Sequence, residues 1–312
     1  MKLGIIIPCY NEESGLEETT LRLEALLNEM IQEGSIDNES FVCYVDDGSS
    51  DNTWQLIEKF QKNSPLFKGL KLSRNFGHQN ALIAGLMQFK ESADGLISMD
   101  ADLQDDITLV KSFVSKYKEG YDVVYGVRDD RTTDTAFKRG TAGLFYTFQK
   151  FMGIEAIPNH ADYRFLSTKA LNALANFKEI NLFLRGIVPL LGFRSCSLYY
   201  KRAQRFAGET KYPLKKMLYF ALDGIASFSI MPLRLITFTG FILFMLSLIA
   251  IVWILIEKFL LGNTIQGWSS ILISIYFIGG IQMMSLGIIG EYVGRTFQQG
   301  KQRPRYIIDK EI

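Results

Sequence analysis

Two stretches without a charged residue, 235–256 and 268–290, narrow the folds open to this chain of 312 residues. Each is longer than the roughly 20 residues that an α-helix needs to cross the hydrocarbon core of a bilayer. Buried core helices are usually shorter and keep a polar stripe, so both runs are read as membrane spans within a hairpin at 233–291. Lys and Arg beside spans favour the cytoplasmic side. Lys201, Arg202, Arg205, Lys211, Lys215 and Lys216 precede the hairpin, Arg295, Lys301, Arg303, Arg305 and Lys310 follow it, and the connection between the spans carries only Lys258. Both ends of the hairpin are therefore expected inside the cell. The opening "MKLGIIIP" lacks the basic flank and cleavage site of a signal peptide, which places the region before the hairpin in the cytosol as well.

Residues 1–212 read differently. Short apolar runs, "LGIIIP", "FVCYVDD", "GLISMD" and "YDVVYGV", alternate with longer helical patterns. Near-continuous apolar strands separated by helices predict a mainly parallel sheet covered on both faces, an α/β fold. Ser14 followed by Glu17 predicts a capping box for the helix after the first strand. Residues 213–232 mix basic and aromatic side chains beside a span, and are expected to lie in the membrane interface as amphipathic helices. Residues 292–312 form a cytosolic tail. Cys9, Cys43 and Cys196 are odd in number and lack metal-ligand spacing, which points away from a disulfide framework or a zinc site.

In an open α/β sheet, ligands bind outside the carboxyl ends of the strands. Three polar clusters fall at such ends: "PCYNEE", "DDGSSDNT" and "DADLQDD". Asp100, Asp102, Asp105 and Asp106 crowd into the third and must repel one another unless a positive charge sits among them. Asp100 and Asp102 are two apart, so in an extended segment they share a face. Such hard oxygen ligands suit Mg²⁺ or Mn²⁺, with a nucleotide diphosphate completing the shell. Asp105 and Asp106 equally suit the N-terminus of the following helix. The second cluster fits either a nucleoside site around Asp47 and the turn-forming Gly48 or a helix cap by Asp51 or Ser50. Arg74 in "SRNFGHQNA" could reach a phosphate or a base, while His78 reads as a packed or capping residue.

Taken in order, "IIIPCYNEE", "VDDGSSDNT", "LSRNFGHQNAL", "MDADLQD", "VVYGVR", "ADYRFL", "RFAGETKYPLKKM", "DGIASFS", "PLR", "GEYVGR" and "RPRYII" cover nearly the whole chain. In this order the chain resembles the GT-A family 2 glycosyltransferases that load a sugar onto a polyisoprenyl phosphate, including bactoprenol glucosyltransferases and dolichyl-phosphate mannose synthases. The resemblance implies a GT-A domain followed by interfacial helices and a two-helix transmembrane hairpin. It implies nucleotide binding by Pro8, Tyr10, Asn11, Glu12 and Asp47, with Arg74 and Asp100 supporting the same site, and a divalent cation, Mg²⁺ or Mn²⁺, on Asp102 and Gln104. Asp162 matches the proposed catalytic carboxylate, with Arg164 beside it. Arg128, Arg205 and Lys211, and more weakly Arg202, would contact phosphates of donor or acceptor. Relatives often carry prolines where this chain has Asp106 and Ile107, a departure that bears on a helix cap rather than on the metal.

The implied reaction is inverting transfer of a sugar, best read as glucose, from a UDP-sugar to undecaprenyl phosphate at the bacterial inner membrane, giving a lipid-linked sugar phosphate for cell-envelope glycosylation. The expected partners are the UDP-sugar, the polyisoprenyl phosphate and the bilayer, with no nucleic acid; Gly290 and Gly294 have a spacing that suits helix packing in a homo-oligomer. Two other readings compete. A processive polysaccharide synthase is disfavoured by the lack of a QxxRW segment, and a non-catalytic membrane-anchored nucleotide-binding scaffold by the presence of Asp100, Asp102, Gln104 and Asp162.

Overall fold

The structure, a computed structural model, describes residues 1–129, 160–179, 184–201 and 267–312, together with scattered positions between 233 and 256. Arg202, Arg205, Lys211 and the interfacial segment 213–232 lie outside the described residues. The chain divides into two compact units, one of residues 1–150, 155–216 and 304–312, the other of 151–154 and 217–303.

The first unit is built on an eight-stranded sheet in the order β7-β5-β6-β4-β1-β2-β3-β8. Its strands are β1 (Leu3–Cys9), β2 (Phe41–Asp46), β3 (Phe67–Leu72), β4 (Gly95–Ser98), β5 (Val123–Arg128), β6 (His160–Ser167), β7 (Ser195–Tyr200) and β8 (Ile308–Glu311). β6 runs antiparallel to β4 and β5, and β8 antiparallel to β3; the other ladders are parallel. The expectation of a mainly parallel sheet holds, for the reason given by the sequence: every residue of β1, β2 and β4 is buried, which requires cover on both faces.

Helices α1 (Leu16–Gln32), α2 (Thr53–Asn63), α3 (His78–Phe89), α4 (Leu109–Lys118), α5 (Thr168–Leu174) and α6 (Leu184–Leu190) belong to the same unit. α1 buries Leu16, Leu23, Leu27 and Met30 in a stripe and carries Glu17 and Glu18 in its first turn, where the helix dipole favours negative charge. The predicted capping box is not formed. The N-cap is Gly15, because the Glu12 carbonyl already accepts the N–H groups of Gly15 (3.1 Å) and Leu16 (3.2 Å) and leaves Ser14 no capping role. α3 lies close against the sheet at Gly85, where an added Cβ would fall 2.4 Å from Ile6 Cγ2 and 2.7 Å from Val45 Cγ2.

The expected tail at 292–312 is split. Residues up to Gly300 continue helix α7 (Trp268–Gly300) in the second unit, whereas β8 returns to the sheet as an edge strand. Gly69 and Ile312 exchange two backbone hydrogen bonds of 2.9 Å, and Lys310 pairs with Glu58 at 2.7 Å. Among the described residues no helix is long and apolar enough to cross a membrane; much of the first uncharged run and some side chains of the second fall outside the description.

Candidate active site

Parallel pairing puts the ends of β1, β2 and β4 on one edge: Cys9 lies opposite Asp46, and Ile6 opposite Ser98. The three polar clusters therefore gather there, as the sequence predicted. β6 enters from the same edge, because it is antiparallel and Ser98 pairs with Arg164. The Ser98 hydroxyl donates to the Asp162 carbonyl at 2.6 Å, which fixes Asp162 next to the acidic cluster.

The first two clusters are stitched together. Asn11, in the left-handed region at φ 55°, accepts from the Ser50 N–H at 2.8 Å, and its own N–H donates to the Ser49 hydroxyl at 3.0 Å. The Glu12 N–H donates to Thr53 Oγ1 at 3.0 Å. Tyr10 is exposed, whereas Pro8 is buried within β1 opposite Val45. Asp47 is buried, and its two oxygens accept the N–H groups of Phe76 (2.7 Å) and Gly77 (2.9 Å), tying the end of β2 to the loop that leads into α3. Arg74 stacks its guanidinium on Phe76 at 4.0 Å from the ring centroid.

That loop junction needs glycine at position 48. Its φ is +70°, and a Cβ there would meet the backbone of Arg74 and Asn75 at 2.5 and 2.6 Å, atoms that cannot swing aside. Gly48→Ala is expected to lose at least the ~1–2 kcal/mol that a left-handed L-residue costs, seen as a lower unfolding midpoint; an unchanged midpoint would contradict the packing described.

The crowded acids divide into separate roles. Asp105 is buried and pairs with Arg128 Nη2 at 2.9 Å and with the Tyr200 hydroxyl. This corrects its reading as a helix-terminus residue: a carboxylate inside the protein requires a counter-charge, and Arg128 supplies it. Arg128, expected to hold a phosphate, is engaged with Asp105 and Tyr200. Asp106 does serve the helix start, accepting the Thr108 N–H (2.9 Å) and hydroxyl (2.7 Å) just before α4. The Asp102 carboxylate accepts the Gln104 N–H at 3.2 Å across Leu103, whose φ of 54° is unusual for a branched side chain.

Asp100 remains as the group under electrostatic pressure. Burial pushes its carboxyl up to about 6; His78 partly offsets this, while Asp105, Asp162 and Asp102 add to it. The His78 ring nitrogen Nε2 lies 3.6 Å from Asp100 and 3.7 Å from Asp162. A folded-state value above the ordinary ~3.9 of an aspartate means that the folded chain binds this proton more tightly. The contribution favours folding at low pH and is lost as pH rises through about 6. In metal-free buffer, Asp100→Asn should therefore melt higher than the parent at pH 7, with the difference shrinking toward pH 4.5. A pH-independent difference would contradict this environment.

Asp162 behaves oppositely. Burial opposes its charge, yet Arg164, Arg185 and His78 together hold its carboxyl well below the usual range. Oδ1 accepts from Arg164 Nη2 and from Arg185 Nε at 3.4 Å; Oδ2 accepts from Arg185 Nη2 at 3.2 Å and Gln79 Nε2 at 3.0 Å. Arg185, Gln79 and His78 were not singled out for function from the sequence. Their signal lies in tertiary placement, since α3 and α6 bring them to a strand distant in the chain.

The donor chemistry fits a divalent cation. Among the described residues no group of three or more His, Cys, Asp or Glu is gathered to hold a metal by itself. Asp100 and Asp102 offer a partial shell of hard oxygens, the arrangement that Mg²⁺ ordinarily completes with substrate phosphates and water, and the carboxyl of Asp100 is raised first by burial and then by neighbouring acids whose charge a cation would offset.

Residues 4–174 match the profile of "Glycosyl transferase family 2". The chain is 50% identical over 310 residues to "Uncharacterized glycosyltransferase YkoT" of Bacillus subtilis, covering 99% of this chain and 92% of that protein. It is 35% identical over 314 residues to "Prophage bactoprenol glucosyl transferase homolog" of Escherichia coli, covering 99% of each. A crystal structure of glucosyl-3-phosphoglycerate synthase from Mycobacterium tuberculosis with Mn²⁺, UDP-glucose and phosphoglyceric acid matches 72% of this chain and 77% of that one, at 19% identity and a TM-score of 0.45, too distant to bear on the reaction.

Proposed function

This chain belongs to glycosyl transferase family 2, and we propose that it transfers a sugar, with glucose the best reading, from a UDP-sugar to a polyisoprenyl phosphate with inversion at the anomeric carbon. The observation that carries this reading is the end-to-end likeness to proteins named bactoprenol glucosyl transferase, at 35% identity.

Asp100, Asp102 and Gln104 would hold the divalent cation, which supplies charge neutralisation for the departing diphosphate. The loops of Asn11 and Asp47 frame the nucleotide. An acceptor phosphate monoester, with a second pKa near 6, is already largely anionic at neutral pH and needs positioning more than deprotonation. The strongly ionised Asp162 suits that need: a carboxylate held below its usual range by two guanidiniums is a weak base but a firm anchor. Arg202, Arg205 and Lys211 add positive charge before the hairpin.

The two uncharged runs are proposed to span the bacterial plasma membrane as a hairpin, with residues 213–232 in the interface and both termini cytoplasmic. The second run lies within α7, whose apolar side chains Ile275, Phe277, Met283, Met284 and Leu286 are exposed in the described structure. An acceptor with a long isoprenoid tail stays in lipid, and a chain anchored there meets its headgroup.

Purified full-length protein, incubated with a panel of labelled nucleotide sugars, Mn²⁺ and undecaprenyl phosphate, is expected to move label from UDP-glucose into the organic phase. Substituting undecaprenol should abolish the product. Nucleotide-sugar turnover without lipid-extractable label would overturn the proposal.

A further inference from the structure

Asp162 sits between two guanidinium groups of very different exposure. The Arg164 side chain is 1% exposed and Asp162 7%, so these two form a neutral pair in the interior. The Arg185 side chain is 43% exposed and approaches the same carboxylate side-on through Nε and Nη2. Arg185 thus keeps part of its guanidinium surface open beside the buried pair, within electrostatic reach of Asp100. A partly exposed arginine normally loses considerable side-chain freedom when it is fixed. Here the side-on contact with an immobile, strand-borne carboxylate has already fixed it. The guanidinium fork matches phosphate oxygens in a way that a point charge does not.

We propose that Arg185 is a phosphate-binding residue of the transfer site, held ready by Asp162 to take an oxyanion of either the donor diphosphate or the acceptor phosphate monoester. The proposal rests on the glycosyl-transfer reading for the identity of these two ligands, and it gives Asp162 the part of a positioning residue for Arg185. Gln79, donating to Asp162 Oδ2 from the start of α3, fixes the carboxylate from the opposite element.

Equilibrium binding tests this without requiring turnover. Full-length parent, Arg185→Ala and Arg185→Lys are titrated with UDP in the presence of Mn²⁺ and, separately, with undecaprenyl phosphate. Arg185→Ala should weaken one of the two by about tenfold or more, as expected for loss of a charge-assisted contact, and Arg185→Lys should fall between it and the parent. A loss confined to UDP assigns the contact to the diphosphate; a loss confined to the lipid assigns it to the acceptor. Melting temperature controls for folding, because Arg164 still pairs with Asp162 in both variants. Affinities for both ligands within about twofold of the parent, or a parent that binds neither, would overturn the proposal. Failure of the transfer reading itself is seen separately, as binding by the parent without lipid-linked product.

Discussion

Asp162→Ala is expected to destabilise the first unit by about 3–5 kcal/mol and to abolish transfer. Arg164 is the largest fully buried side chain of the described residues, and Asp162 is its ion-pair partner. Removing the carboxylate takes a buried ion-pair partner from that guanidinium, the costly way of breaking a buried pair. Replacing both members by apolar residues of similar volume, as in Asp162→Leu with Arg164→Met, should cost much less than the single change, although activity stays lost. The depressed carboxyl adds a pH signature. Its contribution is complete above the ordinary aspartate value near 4 and is lost as pH falls further toward the folded-state value. Chemical denaturation of parent, single and double variants at pH 7 and pH 3.5 measures all of this; a single variant as stable as the parent at pH 7 would contradict the pairing.

Asp102→Ala should reduce transfer by about a hundredfold or more, since withdrawing a cation from a departing diphosphate removes several kcal/mol of transition-state stabilisation. Unlike Asp162, Asp102 is only partly buried, and it accepts the Gln104 N–H within the same turn. Its loss should leave the melting temperature within a few degrees of the parent. Activity and stability therefore separate at Asp102 and fall together at Asp162. Steady-state transfer across a Mn²⁺ titration decides the point: undiminished turnover by the variant would remove Asp102 from metal binding.

Much of this arrangement was legible in the chain. Ile5, Ile6 and Ile7, Val42 to Val45, and Leu96 and Ile97 form apolar runs that can only be covered on both faces, and parallel strands then force the polar segments after them onto one edge. The acidic cluster could be located but not apportioned. Which of four neighbouring carboxylates meets an arginine depends on Arg128 and Tyr200 lying side by side at the ends of β5 and β7, a register that no local pattern encodes. Arg185, Gln79 and His78 converge on Asp162 from separate helices for the same reason. β8 escaped notice because "IDKE" has little strand character, and the segment is held mainly by backbone pairing to β3 and by the contact of Ile312 with Gly69. Arg202, Arg205 and Lys211 stay as sequence expectations, since they lie outside the described residues.

In the proposed transfer site the acids after β4 hold a divalent ion against a nucleotide diphosphate. Crystals of the full chain grown with UDP and Mn²⁺ test it directly through the anomalous signal of the metal. A peak is expected within about 2–2.5 Å of an Asp102 oxygen, shared with the diphosphate; a peak elsewhere, or UDP bound away from the ends of β1, β2 and β4, would rule this arrangement out.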